Sequence, residues 1–350
     1  MQSIQRLLSL AVLALAAITP SHAAMGLSQI DGTADDGPIT LYYPTESPSR
    51  TVMRGPFALQ VAEQATPARG NGRLIVLSHG SGGSPWVHHD LARSLVEAGF
   101  VVALPQHRGD NHLDYSGAGP DSWARRPAEV SRTIDALGRD ARFAPLLALD
   151  RVGVWGGSAG GHTALSLAGG SWSPARFQRH CDAHLDEDFP GCAGLFTRLT
   201  GGWADGLKRW AVRSVLRWKF DDTAPKTHDD PRIAAVVAMV PLASDFDPAS
   251  LAKPRVPLAL VTARQDRWLP PRWHSDRVLQ ACLSCTHLAD LPTAGHGAML
   301  SPLPPGMTGL VGDLLNDPPG FDRKALPAVA RQVAAFFARH LPAPQGAGQP

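Results

Sequence analysis

Five short runs constrain the fold of this chain more than any other feature: "LIVLS" (Leu74–Ser78), "FVVAL" (Phe100–Leu104), "RVGVW" (Arg151–Trp155), "IAAVVAMV" (Ile233–Val240) and "VPLALVT" (Val256–Thr262). Their apolarity is continuous rather than alternating, which suits strands covered on both faces. Candidate helices lie between them. Ser84-Pro85 can start one that carries Val87, Leu91, Leu95 and Ala98 on one face, with Gly99 to end it. Asp121 to Leu137 is a second. A last helix from about Arg323 places Leu326, Val329, Val333 and Phe336/Phe337 on one side. This alternation predicts an α/β domain with a mainly parallel sheet. The earlier segments "ITLYYP" and "PFALQVA" fit antiparallel strands at one edge, and no internal repeat is visible.

The amino terminus reads as an export signal. Arg6 precedes an apolar run from Leu7 to Ile18, and Ser21-His22-Ala23 offers small residues for cleavage. Residues 1–23 are therefore expected to be a signal peptide and the mature protein periplasmic or secreted. The run is too short for an ordinary membrane span. Residues 24–340 are expected to form the folded domain and 341–350 a disordered tail. The formal charge of +2, with no long basic block, gives nucleic acid little to bind. Four cysteines in an exported chain favour disulfides, Cys181–Cys192 and Cys282–Cys285. The second pair is a C-x-x-C at the end of a candidate helix. A redox motif would open a helix instead, so a structural pin is the better reading.

From about Trp172 to Asp230 the alternation breaks. The segment "GWADGLKRWAVRSVLRWKF" can form a helix with Trp203, Leu207, Trp210, Ser214 and Trp218 along one side and Lys208, Arg209, Arg213, Arg217 and Lys219 elsewhere. Residues 172–230 read as an insertion, a cap over the carboxyl edge of the sheet. Its helix reads as an ordinary cap helix with a solvated face, with peripheral lipid contact as the other reading of a basic amphipathic helix.

Directly after the third run comes "GGSAGG". Gly156-x-Ser158-x-Gly160 after a strand matches a nucleophile elbow, whose strained turn requires small neighbours. A phosphate loop would need a Gly-x-x-x-x-Gly-Lys-Ser/Thr pattern, which is missing. A serine hydroxyl needs a base. Downstream, Asp266 follows a buried strand and His296 sits in the glycine-flanked "AGHGAML". The order Ser158, Asp266, His296 suits a triad in which the aspartate orients the imidazole. Asp245 is the rival acid, with Asp247 behind it. Oxyanion donors are expected from the backbone N–H groups of Ala159 and of Ser81 in "HGSGGSP", with Gly82 next. His79 is expected to brace that loop and His162 to pack behind the serine. No histidine spacing calls for a metal, and no cofactor is implied.

These segments carry a resemblance. "VLSHGSGGSP", "VVALPQHRGDN", "VGVWGGSAGGHT", "TARQDRWLPP" and "AGHGAML" resemble the α/β-hydrolases, in particular an exported bacterial group of predicted dienelactone hydrolases that is similar to the platelet-activating-factor acetylhydrolase type. It covers roughly residues 38 to 300 without the insertion. The resemblance implies the α/β-hydrolase fold, a Ser158–Asp–His296 triad, an acyl-serine intermediate and short-chain ester or lactone substrates. Classical dienelactone hydrolases carry cysteine where this chain has Ser158, so the group's name says nothing of the substrate here. The acetylhydrolase type takes its acid after the earlier strand, which keeps Asp245 in play. An amide-bond hydrolase of the same fold, and a secreted binding protein without turnover, are the alternatives.

Overall fold

The computed structural model describes residues 24–33, 36–303 and 306–344. The expected signal peptide lies outside them, as do the last residues of the expected tail.

A single ten-stranded sheet organises the chain. Its strands are β1 (Ala24–Ile30), β2 (Ile39–Thr45), β3 (Arg50–Arg54), β4 (Phe57–Glu63), β5 (Leu74–Ser78), β6 (Val101–Pro105), β7 (Val152–Gly157), β8 (Ile233–Met239), β9 (Leu258–Ala263) and β10 (Thr286–Leu291), in the order β10-β9-β8-β7-β5-β6-β2-β1-β4-β3. From β10 to β6 every neighbouring pair is parallel, and β2 closes that run antiparallel to β6. The five apolar runs are thus β5 to β9, as their composition requires. β1 and β3 lack a continuous apolar run; β10, the strand that follows the Cys282–Cys285 pair, lies at the edge, half exposed.

The helices are α1 (His89–Glu97), α2 (Pro120–Arg139), α3 (Ala159–Leu167), α4 (Pro174–His184), α5 (Phe189–Ala193), α6 (Asp205–Lys219), α7 (Pro248–Leu251), α8 (Ser275–Ala281), α9 (Gly309–Leu315) and α10 (Leu326–His340). Successive strand residues point to opposite faces, and β5 divides accordingly. Leu74 and Val76 pack with Val130 and Ile134 of α2 and Leu165 of α3. Ile75 and Leu77 pack with Leu95 of α1 and Val333 and Phe337 of α10. Both faces of the parallel strands are therefore covered.

The chain leaves the sheet after α3 and returns at β8. The two stems of this excursion meet where Trp172 and Lys226 exchange backbone hydrogen bonds of 3.2 and 2.7 Å. The sheet is continuous beneath it, and α4, α5 and α6 lie within it. One disulfide, Cys181–Cys192, ties α4 to α5; the other, Cys282–Cys285, spans the turn between α8 and β10. One boundary moves. Leu341, placed in the tail from sequence, is buried, and the Pro342 carbonyl accepts a 2.9 Å hydrogen bond from Arg73 Nε. Among the described residues no helix is long and apolar enough to cross a membrane.

Candidate active site

Strand order reverses at β5. From it the chain steps to β6 on one side, then crosses to β7 on the other. A crevice opens beyond the carboxyl ends of strands at such a point. The two loops that meet there are those after β7, with Ser158, and after β5, with His79 to Ser84.

Ser158 occupies the turn between β7 and α3 with φ 57° and ψ −120°, a conformation that costs a non-glycine residue about 1–3 kcal/mol. It is held from both sides. The Ser158 N–H donates to the Met239 carbonyl at 3.1 Å, and the Leu242 N–H donates to the Ser158 carbonyl at 3.2 Å. The glycines are spaces. A Cβ on Gly156 would lie 1.9 Å from the Gly160 carbonyl oxygen, and one on Gly160 would lie 1.9 Å from that of Ser78. Only glycine lets α3 come this close to β5 and β7.

His296 and Asp266 are joined. His296 Nδ1 lies 2.7 Å from Asp266 Oδ2, and Asp266 Oδ1 accepts from the Trp268 and Leu269 N–H groups at 2.8 and 2.9 Å. A carboxylate can only accept, so Nδ1 carries the proton and Nε2 is left as an acceptor. Ser158 and His296 line one cavity without a direct hydrogen bond between them. Asp245 is turned elsewhere. Its Oδ2 meets His162 Nε2 at 3.0 Å, with both side chains fully buried, and the His162 ring packs on Trp172 and Phe246. Asp247 caps α7, accepting from the Ala249 N–H.

The loop after β5 abuts the serine: a Cβ on Gly80 would lie 3.4 Å from Ser158 Cβ. A buried ion pair holds that loop. Arg126 donates to the His79 carbonyl at 2.6 Å and to Asp110 Oδ2 at 2.8 Å, both side chains having no exposure. Asp110 Oδ1 accepts from Ser81 Oγ at 2.5 Å and from the Gly82 N–H at 3.0 Å. Burial opposes ionisation of Asp110, but the Arg126 guanidinium and the Ser81 and Ser122 hydroxyls outweigh it and keep its carboxyl below the ordinary range. The Gly82 N–H is thereby already committed. Among the described residues the Ser81 and Ala159 N–H groups have no protein acceptor. His79 braces the loop through Nδ1, 2.7 Å from the Gly80 carbonyl.

Beneath the loop runs a second buried chain, Ser78 Oγ to His107 Nε2 at 2.8 Å and His107 Nδ1 to Glu129 Oε2 at 2.5 Å. Burial pushes Glu129 up to about 7 and His107 well below its ordinary value. It too is a serine–histidine–carboxylate chain, but Ser78 and His107 have no exposure and it has no access to substrate. Asp110, Arg126 and Glu129 carry no sequence signal of their own, and His107 reads from sequence only as a histidine without a metal spacing. The "HRGDN" segment stands out in the sequence, but nothing in it tells which side chains meet α2.

The cavity has a volume of about 1270 Å³ and a mostly apolar wall. Gly80 to Ser84, Trp86, Trp123, Trp268 and Met299 contribute from the domain, and Phe177, Leu195, Val212 and Trp218 from the excursion. Among the described residues one set of potential metal ligands is close enough to share an ion, His180, Asp188 and Cys192. The Cys192 sulfur is in a disulfide, so that set does not fit a metal.

No protein-family model matches the chain, and no curated protein matches it. Among solved structures, a ferulic acid esterase from Streptomyces cinnamoneus is similar, with 18% identity, a TM-score of 0.56, and coverage of 93% of this chain and 92% of that one. At that identity the likeness concerns architecture: this chain has the α/β-hydrolase fold, a mostly parallel sheet covered by helices on both faces.

Proposed function

We propose that this protein is a serine hydrolase of carboxylic esters. One observation carries the reading: an imidazole held by a buried carboxylate, and a serine on a strained elbow, face one cavity. Ser158 Oγ attacks the ester carbonyl as His296 Nε2 takes its proton, giving a tetrahedral oxyanion. The Ala159 and Ser81 N–H groups receive that oxyanion. Its collapse breaks the bond to the alcohol oxygen, which takes the proton from His296 and leaves an acyl-serine. Water, deprotonated by His296, then releases the acid and restores Ser158.

Asp266 keeps the imidazole in its Nδ1–H tautomer and stabilises the cation that forms. Asp245, bound to His162 under α3, supports the elbow from below instead. The apolar wall favours substrates with a hydrocarbon or aromatic acyl group. The solved relative, an esterase for a phenolic acid by its title, fits that class. The finer grouping follows the sequence resemblance, with the exported dienelactone-hydrolase-like proteins, and export is supported by both disulfides.

The test is hydrolysis of p-nitrophenyl esters from acetate to palmitate, with a serine-reactive phosphonate. Wild type is expected to turn over and to carry one adduct on Ser158. Ser158→Ala should lose at least about 10⁴-fold in kcat and all labelling. Full activity in that variant would overturn the mechanism.

A further inference from the structure

Helix α6 is inside out for a helix of a soluble domain. Its contact with the protein runs through Val212 and Leu216, 9% and 3% exposed, with Phe220 just beyond. The opposite face should be polar. It carries instead Leu207, Trp210 and Trp218, at 62%, 65% and 75% exposure, and Trp203 just before the helix is 95% exposed. Phe196, which lines the cavity together with Leu207 and Trp218, is 83% exposed. Single exposed apolar residues need no explanation, but several tryptophans gathered on one element do.

Two further features bear on the occupant of this face. The first is the charge on the helix. It has five cations, Lys208, Arg209, Arg213, Arg217 and Lys219, against one acid, Asp205. Acids hold Lys208 and Arg209, at 2.8 and 2.6 Å, whereas Arg217 is 3.9 Å from Asp182 and 65% exposed. The second is continuity with the cavity, because Leu207, Val215 and Trp218 lie both on the exposed side and in the wall beside Ser158. A second copy of the chain fits poorly. A two-fold contact through α6 would set the same cations against each other. Tryptophan rings flanked by arginine and lysine suit the boundary between lipid headgroups and acyl chains.

We propose that α6 seats the protein on the surface of an anionic phospholipid bilayer, with the tryptophans in the headgroup boundary and the arginines on lipid phosphates, so that apolar esters reach the cavity from the lipid phase. The seating itself does not depend on the hydrolase reading, and the Ser158→Ala variant should bind as wild type does.

The experiment is sedimentation of the full chain with vesicles of phosphatidylcholine alone and of phosphatidylcholine with phosphatidylglycerol. Trp203→Ser/Trp210→Ser and Arg213→Glu/Arg217→Glu alter residues that do not line the cavity. Wild type should bind the mixed vesicles more tightly than the neutral ones. The tryptophan pair should weaken binding about tenfold or more, from the apolar surface withdrawn from lipid. The charge-reversed pair should abolish the preference for the anionic vesicles. Both should keep wild-type turnover of soluble p-nitrophenyl acetate and wild-type thermal midpoints, which shows that they fold. Absence of vesicle binding, or binding that survives the tryptophan substitutions, overturns the proposal. So does a dimer in solution that those substitutions dissociate, which would make a second copy the occupant.

Discussion

Asp110→Asn isolates the support of the loop beside Ser158. Asparagine keeps the shape and leaves Oδ1 free to accept from Ser81 Oγ and the Gly82 N–H, as it does at 2.5 and 3.0 Å. It replaces Oδ2, which faces Arg126 at 2.8 Å, with a donor. A guanidinium with no exposure then lacks a counter-charge. Breaking such a buried pair from one side costs about 3–5 kcal/mol. The lowered pKa of Asp110 gives the pH sign: a carboxyl depressed in the folded state adds stability above its unfolded pKa, lost as pH falls through the folded value. The assay is urea unfolding, read as a shift in midpoint at constant slope. Arg126→Met alone should cost a similar amount by orphaning Asp110. The double variant Asp110→Asn/Arg126→Met should lose clearly less than the two single losses added together, since neither charge is left behind. A loss below about 1 kcal/mol for Asp110→Asn, the worth of an exposed pair, would refute the reasoning. So would strict additivity. Because the loop carries the Ser81 N–H, kcat for a soluble ester should also fall, by up to about 10², with KM little changed.

The two aspartates should separate by phenotype. Asp266→Asn should lower kcat about 10⁴-fold with little change in stability, as expected for an imidazole in the wrong tautomer, whereas Asp245→Asn should act mainly on the unfolding midpoint; the reverse pattern in ester kinetics and urea melts would make Asp245 the triad acid. Glu129, pushed by burial up to about 7 from an ordinary 4.5, keeps in the folded state a proton that the unfolded chain releases. Its contribution to stability therefore falls as pH rises from about 4.5 to about 7. Glu129→Gln should remove that fall, and a wild-type-minus-variant difference that stays flat across the window would refute it.

The sequence revealed most where a local rule acts alone. Continuous apolar runs marked β5 to β9 because covered strands have no polar face to show. Gly156 and Gly160 were legible because an elbow excludes side chains, and contacts of 1.9 Å account for both. His296 and Asp266 were legible by order, since both loops end at the same sheet edge. What stayed hidden depends on distant partners. Nothing near Asp110 says that Arg126, from the middle of α2, completes its shell, and nothing near Asp245 says that His162 takes it. Helix α6 is the instructive case. Its tryptophan stripe was visible, but periodicity fixes only which residues share a face, not which face meets the core. The buried pair Val212 and Leu216 settles that, and it puts the tryptophans outside. Amphipathicity alone would have turned them inward; the proposed seating on a bilayer is what would give these exposed tryptophans a surface to meet.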